Sequence, residues 1–321
     1  MKKKYKYLFG PVHSRRLGES LGVDTVPYKT CSMDCIYCES GKTTVLTMER
    51  KDFFPPEDII SELRDFLQTA PVLDYVTFSG AGEPLLYSGI GKIITFLKTY
   101  FPQYKIALLT NSMLLTEPDA FNAALQVDLI VPSLDAAIES VFEKINRPFL
   151  LKGGCRHIIE TLKSFRKKSN AVFLLEILLI TDINDTDQNI NALCDAVCYI
   201  KPDKIQLNTL DRPGTENNIS PLPYERLLGI ADKFKKCDIP IDIVARKYAN
   251  VTTEINKTDI LPENIDNIVL DLIKRRPSTV NDIAHTLGFS EKKVQQIIWN
   301  LIKNNKIIEE LREKLKFYKK K

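Results

Sequence analysis

Three cysteines, Cys31, Cys35 and Cys38, stand close together in the segment CSMDCIYC. This C-x3-C-x2-C spacing offers three thiolates from one short loop. A [4Fe-4S] cluster has four irons, so three thiolates leave one iron without a cysteine, whereas the usual electron carrier supplies four. The motif therefore predicts a cluster that binds and reduces a small molecule. A zinc site or a ferredoxin-like cluster is the alternative interpretation.

A second group of polar and glycine residues lies at or near the ends of five successive predicted strands. The strands are predicted at 75–79, 105–110, 128–133, 172–180 and 204–208. The polar and glycine residues in or after each strand are, in the same order, Gly80, Gly82 and Glu83; Asn111; Ser133 and Asp135; Glu176; and Gln206 with Asn208. Glu176 is an isolated carboxylate in an apolar strand, and a buried carboxylate needs a partner. Because so regular a placement is hard to explain as core, we expect these residues to form one site.

The elements that position these residues alternate between short β-rich runs and amphipathic helical stretches over the first ~250 residues. The first predicted strand is Leu21–Val26, directly before the cysteine loop, and the last is Ile241–Val244. Such alternation implies a parallel sheet with helical crossovers. Six or seven units predict an α/β fold of the partial (β/α)6-type TIM-like barrel class, whose chemistry collects at the carboxyl ends of the strands.

The C-terminal part of the sequence changes character and predicts a separate small domain. A polar linker is predicted over 248–262, followed by helices at Asn264–Arg275, Val280–Leu287 and Ser290–Asn304. Gly288 supplies a turn between the last two helices, which gives a helix–turn–helix, and the final segment KIIEELREKLKFYKKK predicts a two-stranded wing. We therefore divide the chain into a barrel (1–247), a linker (248–262) and a winged-helix domain (263–321).

Taken together, the motifs resemble the radical S-adenosylmethionine superfamily over roughly residues 10–245. The likeness rests on the cysteine triad with Tyr37 before the third cysteine, on SGAGEP, in which Ala81 is a mild departure, and on the TNS and SLD segments. The resemblance implies that Cys31, Cys35 and Cys38 hold a [4Fe-4S] cluster and that the chain binds S-adenosyl-L-methionine. It implies these cofactor-binding residues: Tyr37, Gly80, Gly82, Glu83, Asn111, Ser133, Asp135, Glu176 and Asn208.

The resemblance also implies a reaction. One electron, from a donor such as a flavodoxin or ferredoxin, would cleave S-adenosylmethionine to methionine and a 5′-deoxyadenosyl radical. That radical would abstract a hydrogen atom from a substrate at the barrel mouth. The cofactor would do the difficult chemistry while the protein positions it and excludes water.

Closer kinship is indicated by GPVHSRRLGESLGVDTVPYKTCSMDCIYC, TFSGAGEPLL and LNTLDRPG. These segments resemble iron–sulfur oxidoreductases related to tRNA wyosine-type synthases, which modify a guanosine in tRNA. The synthases carry a second cluster on cysteines upstream of the radical motif, and this chain has no cysteine before Cys31. The resemblance therefore does not extend to that second cluster.

The charge distribution bears on the substrate. Residues 263–321 hold 13 Lys and Arg against 8 Asp and Glu, a net charge of +5, whereas the rest of the chain sums to −1. The second helix of a helix–turn–helix can lie against a nucleic acid, with Lys292, Lys293 and Lys303 on phosphates. We therefore expect RNA, tRNA in particular, as the substrate. The alternatives are a peptide or protein recognised by the winged helix, a small metabolite, and a cluster-based transcription regulator.

No single side chain can be assigned as a catalytic acid, base or radical relay from the sequence. His13, Arg15, Arg16 and Arg212 are candidate substrate contacts because they fall in polar loops, and each is equally interpretable as a salt-bridged surface residue.

The four remaining cysteines are Cys155, Cys194, Cys198 and Cys237. Cys194 and Cys198 are four residues apart in a helical pattern, where they could hold a second metal or simply act as small core hydrophobes. Seven cysteines favour metal or catalytic roles in a reducing compartment, and the longest apolar run, Ala171–Ile180, is too short to span a bilayer. We therefore expect a cytoplasmic protein with no membrane partner.

Overall fold

A computed structural model describes residues 5–14, 16–150, 153–244, 265–312 and 315–321. Arg15 and the predicted linker at 248–262 lie outside the described residues. The chain divides into two compact units. The first comprises Met1–Ile36, Lys42–Leu210 and Asn218–Ala245, and the second comprises Tyr37–Gly41, Asp211–Asn217 and Arg246–Lys321.

The first unit alternates strands and helices in the way the sequence predicts. Its amino-terminal half contains β1 (Leu8–Ser14), β2 (Gly18–Val23), β3 (Thr30–Cys31), β4 (Val45–Leu46), α1 (Pro56–Leu67), β5 (Tyr75–Phe78), α2 (Ile90–Tyr100), β6 (Lys105–Thr110) and α3 (Pro118–Ala124). Its second half contains β7 (Leu129–Pro132), α4 (Glu139–Asn146), α5 (Gly154–Lys168), β8 (Val172–Leu179), α6 (Asp187–Ile200), β9 (Lys204–Thr209), α7 (Tyr224–Phe234) and β10 (Ile241–Ile243).

One sheet of eight strands organises this unit, in the order β1-β2-β5-β6-β7-β8-β9-β10. Only β1 runs antiparallel to its neighbour, and every pairing from β2 to β10 is parallel. Helical crossovers between parallel strands bring all their carboxyl ends to one edge. The expected α/β fold with a partial TIM-like barrel is therefore confirmed.

Strand β1 is an element that the sequence reasoning missed, and the first strand, expected at Leu21–Val26, begins earlier, at Gly18. The sequence LFGPVHS contains Gly10 and Pro11, residues that normally argue against a strand. Proline is tolerated here because β1 is the edge strand of the sheet and needs a hydrogen-bonding partner on one side only.

Apolar side chains form a layer on the inner face of the sheet. Leu17, Ala107, Leu129, Val131 and Leu174 form one buried cluster. Along β8 the next inward position after Leu174 is Glu176, two residues nearer the carboxyl end. On this face the apolar side chains are therefore followed by polar ones towards the carboxyl ends of the strands, where the active site is expected.

The described part of the second unit contains three helices and a hairpin. They are α8 (Ile265–Arg275), α9 (Val280–Leu287), α10 (Glu291–Lys303), β11 (Ile307–Arg312) and β12 (Leu315–Lys320), the two strands being antiparallel. The α9 boundaries agree with the sequence prediction, and Gly288 ends α9 with φ of 71°. Val269, Ile283, Val294, Ile298 and Leu301 are among the residues of its core. Its assignment as a winged-helix domain stays a prediction.

Among the described residues, no helix is long and apolar enough to cross a membrane.

Candidate active site

The cysteine loop starts at the end of β3 and is held in place by the end of helix α4. The backbone N–H of Asp34 donates to the carbonyl of Asn146 at 3.1 Å, and that of Ile36 donates to the carbonyl of Ile145 at 3.0 Å. Carbonyls in the last turn of a helix have no partner within the helix, so they are available to bind a loop. The loop between Cys31 and Ile36 thus takes its conformation from residues more than a hundred positions away.

The glycine-containing segment after β5 packs against the residue that precedes the first cysteine. Glu83 N–H donates to the Thr30 carbonyl at 3.1 Å, and Lys29 N–H donates to the Ala81 carbonyl at 2.8 Å. A Cβ atom at Gly82 would lie 2.1 Å from the Thr30 carbonyl oxygen. Glycine is therefore required here for the two backbones to meet.

A similar constraint applies to Gly80. Its φ of 151° is unfavourable for any side chain, and a Cβ atom there would lie 2.0 Å from Asp24 Oδ1. Both glycines of the SGAGEP segment therefore shape the backbone that supports the cysteine loop.

Two side-chain amides lie next to the cysteine sulfurs. Asn111 Nδ2 is 3.4 Å from Cys31 Sγ, and Asn146 Nδ2 is 3.5 Å from Cys35 Sγ. All three cysteines of the motif are of intermediate exposure, and none of them is in a disulfide. Amide donors directed at thiolate sulfur are typical surroundings of iron–sulfur clusters, where such hydrogen bonds stabilise charge on the sulfur. The donor set of this loop fits a cluster.

Glu83 is buried and accepts three hydrogen bonds from protein donors. One carboxylate oxygen accepts from Thr110 Oγ1 at 2.8 Å and from Leu85 N–H, and the other accepts from Asn111 N–H at 2.8 Å. Burial raises the pKa of Glu83 to about 7, against the opposing effect of these hydrogen bonds. The carboxylate fixes the backbone at Asn111 and so directs the amide that reaches Cys31.

Asp135 positions the second amide. It is 2% exposed, accepts from Asn146 Nδ2 at 2.8 Å, and also accepts from Leu178 N–H at 2.9 Å. The bond to Leu178 ties it to β8. Asp135 therefore connects this strand to the amide beside Cys35.

Glu176 lies in the middle of β8 and contacts residues of three other segments: the β1–β2 turn, the end of β7 and β9. Its Oε1 accepts from Arg16 Nη1 at 2.6 Å and from Asn208 Nδ2 at 3.1 Å, and it forms a parallel bridge with Ser133. Arg16 is thus the partner that the sequence demanded for Glu176. Together these side chains give the barrel interior a polar layer.

Gln206 adds an acceptor to this face of β9. It is 3% exposed, and in the described part of the chain no group donates to its Oε1. A buried acceptor of this kind costs free energy unless a ligand or water supplies a donor.

Tyr37 and Cys38 belong to the second unit, where the backbone at Gly214 and the side chain of Thr215 lie close to them. A Cβ atom at Gly214 would lie 2.8 Å from Tyr37 backbone atoms, and Thr215 Oγ1 donates to the Cys38 carbonyl at 3.4 Å. Gly214 and Thr215 therefore pack against the backbone of Tyr37 and Cys38.

Arg212, one of the candidate substrate contacts, lies in the same unit and is 7% exposed. Its guanidinium is 3.3 Å from Glu39 and 3.4 Å from Asp282, so it bridges the residue after Cys38 and the first turn of α9. Arg212 is therefore surrounded by carboxylates in a position that is largely closed to solvent.

The remaining candidate contacts are placed differently. His13 is about half exposed, with Nδ1 2.7 Å from Glu19 Oε1 across the β1–β2 pair. The sequence did not predict Asn146 as a site residue, because it belongs to no recognisable motif and lies 111 residues from Cys35 along the chain. Ser32, which exchanges hydrogen bonds with Asn111, was also missed, although its position inside the cysteine motif was a usable signal.

Comparison with known proteins agrees with the cluster-binding role that the geometry of the cysteine loop indicates. Residues 25–194 match the family model described as "Radical SAM superfamily". The protein UPF0026 MJ1312 of Methanocaldococcus jannaschii is 30% identical over 94% of this chain and 91% of its own length. A protein named "GTPase Obg" of Brachyspira hyodysenteriae is 33% identical over 97% of this chain, but the chain spans only 44% of that protein.

Solved structures show the same fold at low sequence identity. A radical SAM methyltransferase from Sphaerobacter thermophilus superposes with a TM-score of 0.53 at 16% identity, over 70% of this chain and 66% of that one. SuiB of Streptococcus suis superposes with a TM-score of 0.53 at 14% identity, over 75% of this chain and 53% of that one.

Proposed function

Because this chain belongs to the radical SAM (S-adenosylmethionine) superfamily, we propose that it is a radical enzyme whose substrate is an RNA, with tRNA as the first candidate. Enzymes of this superfamily use a [4Fe-4S] cluster and S-adenosylmethionine, and Cys31, Cys35 and Cys38 would hold that cluster. When bound, the pair supplies an electron and a 5′-deoxyadenosyl group that abstracts hydrogen. The protein's own task is to position the cofactor, exclude water and select the substrate.

The RNA assignment rests on the exposed face of helix α10. Its exposed residues include two lysines, three side-chain amides, one aromatic ring, one carboxylate and one aliphatic side chain: Glu291, Lys292, Gln295, Gln296, Trp299, Asn300, Ile302 and Lys303. Trp299 is 61% exposed, and Lys303 Nζ lies 5.1 Å from its ring centroid. Exposed aromatic rings stack on unpaired bases, and adjacent lysines bind phosphates, which is how single-stranded RNA is recognised.

The ion pairs of the second unit support the same assignment. On the hairpin, Lys316 pairs with Glu309 at 2.9 Å and Lys319 pairs with Glu310. Within the described ranges, in contrast, no ion pair involves the α10 lysines at 292, 293 and 303. Lysines without a carboxylate partner can neutralise phosphates at little cost, so the positive charge of α10 is available to a nucleic acid.

The name of the Brachyspira relative suggests GTP hydrolysis, and we do not extend that activity to this chain. The sequence has no G-x-x-x-x-G-K-[ST] phosphate-binding loop. More than half of that relative lies outside the matched region.

The radical chemistry is tested by product release. Anaerobically reconstituted protein with a one-electron reductant should release 5′-deoxyadenosine from S-adenosylmethionine. Cys35→Ala should abolish both the cluster and this release, whereas Cys155→Ala, at a buried cysteine outside the motif, should keep them. An intact cluster without cleavage would contradict the enzyme assignment and favour a cluster-based regulator.

The RNA assignment is tested by the salt dependence of tRNA binding. Lys292→Gln with Lys303→Gln should lower the slope of log K against log salt by about 1.5, at about 0.7–0.9 per phosphate contact. Lys105→Gln with Lys167→Gln removes two exposed lysines of the first unit and should leave the slope unchanged. Equal slopes for the two double variants would show that the α10 lysines do not contact RNA phosphates. Binding of peptides but not of tRNA would favour a protein substrate.

A further inference from the structure

Three cysteines outside the radical motif converge at one point of the first unit. Cys194 and Cys198 lie about one helical turn apart on α6, and Cys237 ends the short 3-10 segment Lys235–Cys237 after α7. Their sulfur atoms all lie within 4.8 Å of one another. The fold thus supplies the third ligand that the sequence pattern of α6 lacks.

Two of these cysteines form a disulfide, and the third is not needed for it. Cys198 and Cys237 are bonded across a sequence separation of 39 residues. Cys194 is 1% exposed, its thiol lies 3.8 Å from Cys237 Sγ, and it donates to the Lys233 carbonyl at 3.3 Å. A disulfide explains two cysteines and leaves the buried Cys194 thiol beside them without a function.

One of the sulfur–sulfur distances equals the distance between two thiolates on a zinc ion. Zinc–thiolate bonds are about 2.3 Å, so two thiolates on one tetrahedral Zn²⁺ lie about 3.8 Å apart. The distance from Cys194 Sγ to Cys237 Sγ is 3.8 Å. Cys198 and Cys237 are of intermediate exposure, so water can reach the fourth position.

We propose that Cys194, Cys198 and Cys237 bind one Zn²⁺ ion when the protein is reduced, and that the Cys198–Cys237 disulfide is the metal-free, oxidised form of the same site. A dithiol reductant donates two electrons and two protons to the disulfide and itself becomes a disulfide, which leaves three thiols at the site. Binding of Zn²⁺ then releases thiol protons to solvent.

The site lies at the opposite end of the strands from the candidate active site. Helix α6 ends before β9 begins, and the Lys235–Cys237 segment precedes β10, so the sulfurs lie towards the amino ends of the last two strands. In barrels this end serves stability rather than chemistry. The ion would hold α6 against the chain entering the last strand, and the proposal does not depend on the RNA substrate.

The test measures zinc on the reduced full-length holoenzyme. After reduction and anaerobic desalting, we expect one equivalent of tightly bound zinc in addition to cluster iron, measured by elemental analysis and by competition with a chromophoric chelator. Replacing zinc by Co²⁺ should give sulfur-to-cobalt charge-transfer absorption. Zinc should also protect Cys198 and Cys237 from alkylation, read by peptide mass spectrometry.

Cys194 variants separate a metal site from a simple disulfide. Cys194→Ser, and Cys194→Ala, which suits the buried position, leave the disulfide pair intact but should weaken zinc binding at least about 100-fold, more than loss of an outer-shell partner does. Cys155→Ser, at another buried cysteine, should bind zinc like the wild type. Absence of zinc from the reduced protein, or unchanged affinity in the folded Cys194→Ala variant, would overturn the proposal.

Discussion

The side-chain nitrogen of Asn111 lies 3.4 Å from the sulfur of Cys31, and this distance joins the carboxyl end of β6 to the first residue of the cysteine motif. The same nitrogen is 3.0 Å from Ser32 Oγ. Asn111 is itself held by Glu83 through its backbone N–H. Glu83 and Asn111, which lie 28 residues apart in two different sequence motifs, thus both act on the sulfur of Cys31.

Asn111→Ala should make the cluster harder to reduce and easier to lose. Removing the donor withdraws a hydrogen bond that stabilises the more negative, reduced state, so the midpoint potential should fall. Cluster retention should weaken by about 10- to 100-fold, as for other loss of outer-shell support. A spectroscopic redox titration measures the shift. The exposed Asn122→Ala serves as control, and equal potentials for the two variants would contradict the assigned role.

Gly82→Ala should disrupt the cysteine loop. The new methyl group would lie 2.1 Å from the Thr30 carbonyl oxygen, so the backbone must move, and overpacking of this kind costs about 1–3 kcal/mol. Iron content per chain should fall by more than half. Gly91→Ala is the matched control because its Cβ atom would meet Ala123 at an ordinary 3.7 Å, and alanine there should stabilise α2 by about 0.5–1 kcal/mol. Full iron content in Gly82→Ala would refute the role of the close approach.

Glu83 should make the protein less stable as pH rises. Its pKa is raised to about 7 in the folded state, above the ordinary 4.5, so the folded protein binds the extra proton. That contribution is fully present below the ordinary pKa and is lost as pH rises through the folded value, about 3 kcal/mol in all.

Chemical denaturation of the wild type and of Glu83→Gln, followed from pH 4.5 to 8, measures this contribution. The difference between their free energies of unfolding should change by about 3 kcal/mol over that range. Glu160→Gln, whose carboxylate lies at the surface beside Tyr199, should follow the wild type. Parallel curves for wild type and Glu83→Gln would show that Glu83 keeps an ordinary pKa.

Glu176→Gln should weaken S-adenosylmethionine binding while leaving the cluster intact. Loss of the negative charge removes the partner of the Arg16 guanidinium and rearranges the polar layer that includes Asn208. We expect a loss of about tenfold in affinity, which corresponds to about 1.4 kcal/mol. Calorimetric titration of the reconstituted protein measures it. An affinity equal to that of Glu160→Gln would exclude Glu176 from the cofactor site.

Arg212→Met should destabilise the second unit. The guanidinium is 7% exposed and serves both Glu39 and Asp282, so its removal leaves two carboxylates without their counterion, at a cost of about 3 kcal/mol. Arg226→Met is the matched control because Arg226 is 41% exposed in its ion pairs and should contribute less than about 1 kcal/mol. Denaturant unfolding of the full chain compares them, and equal losses would show that the buried network contributes little.

Local patterns predicted much of the fold because the responsible physics is local. The period-two strands and the turn at Gly288 are set by neighbouring residues, and so are the boundaries of α9, whose Thr279–Asp282 capping box is complete. The polar positions at strand ends were predictable for the same reason, since parallel strands must share one edge.

What the sequence could not provide is which distant residues meet. Asn146 reaches Cys35, Arg212 reaches Asp282, and Cys237 reaches Cys194 only because the chain folds back over 43 to 111 residues. No periodicity or spacing encodes such pairings. Strand β1 was missed for a different reason. Its glycine and proline have low strand propensity and are tolerated because β1 lies at the edge of the sheet.

The hydrogen bonds from Asp34 and Ile36 to the end of α4 have a consequence for how the enzyme matures. A loop that is already ordered by the folded chain loses little conformational freedom when it receives a ligand. The entropy of arranging Cys31 and Cys35 is therefore lost during folding rather than at cluster insertion. Backbone hydrogen bonds made by the chain itself therefore help to set the positions of two of the three cysteine ligands.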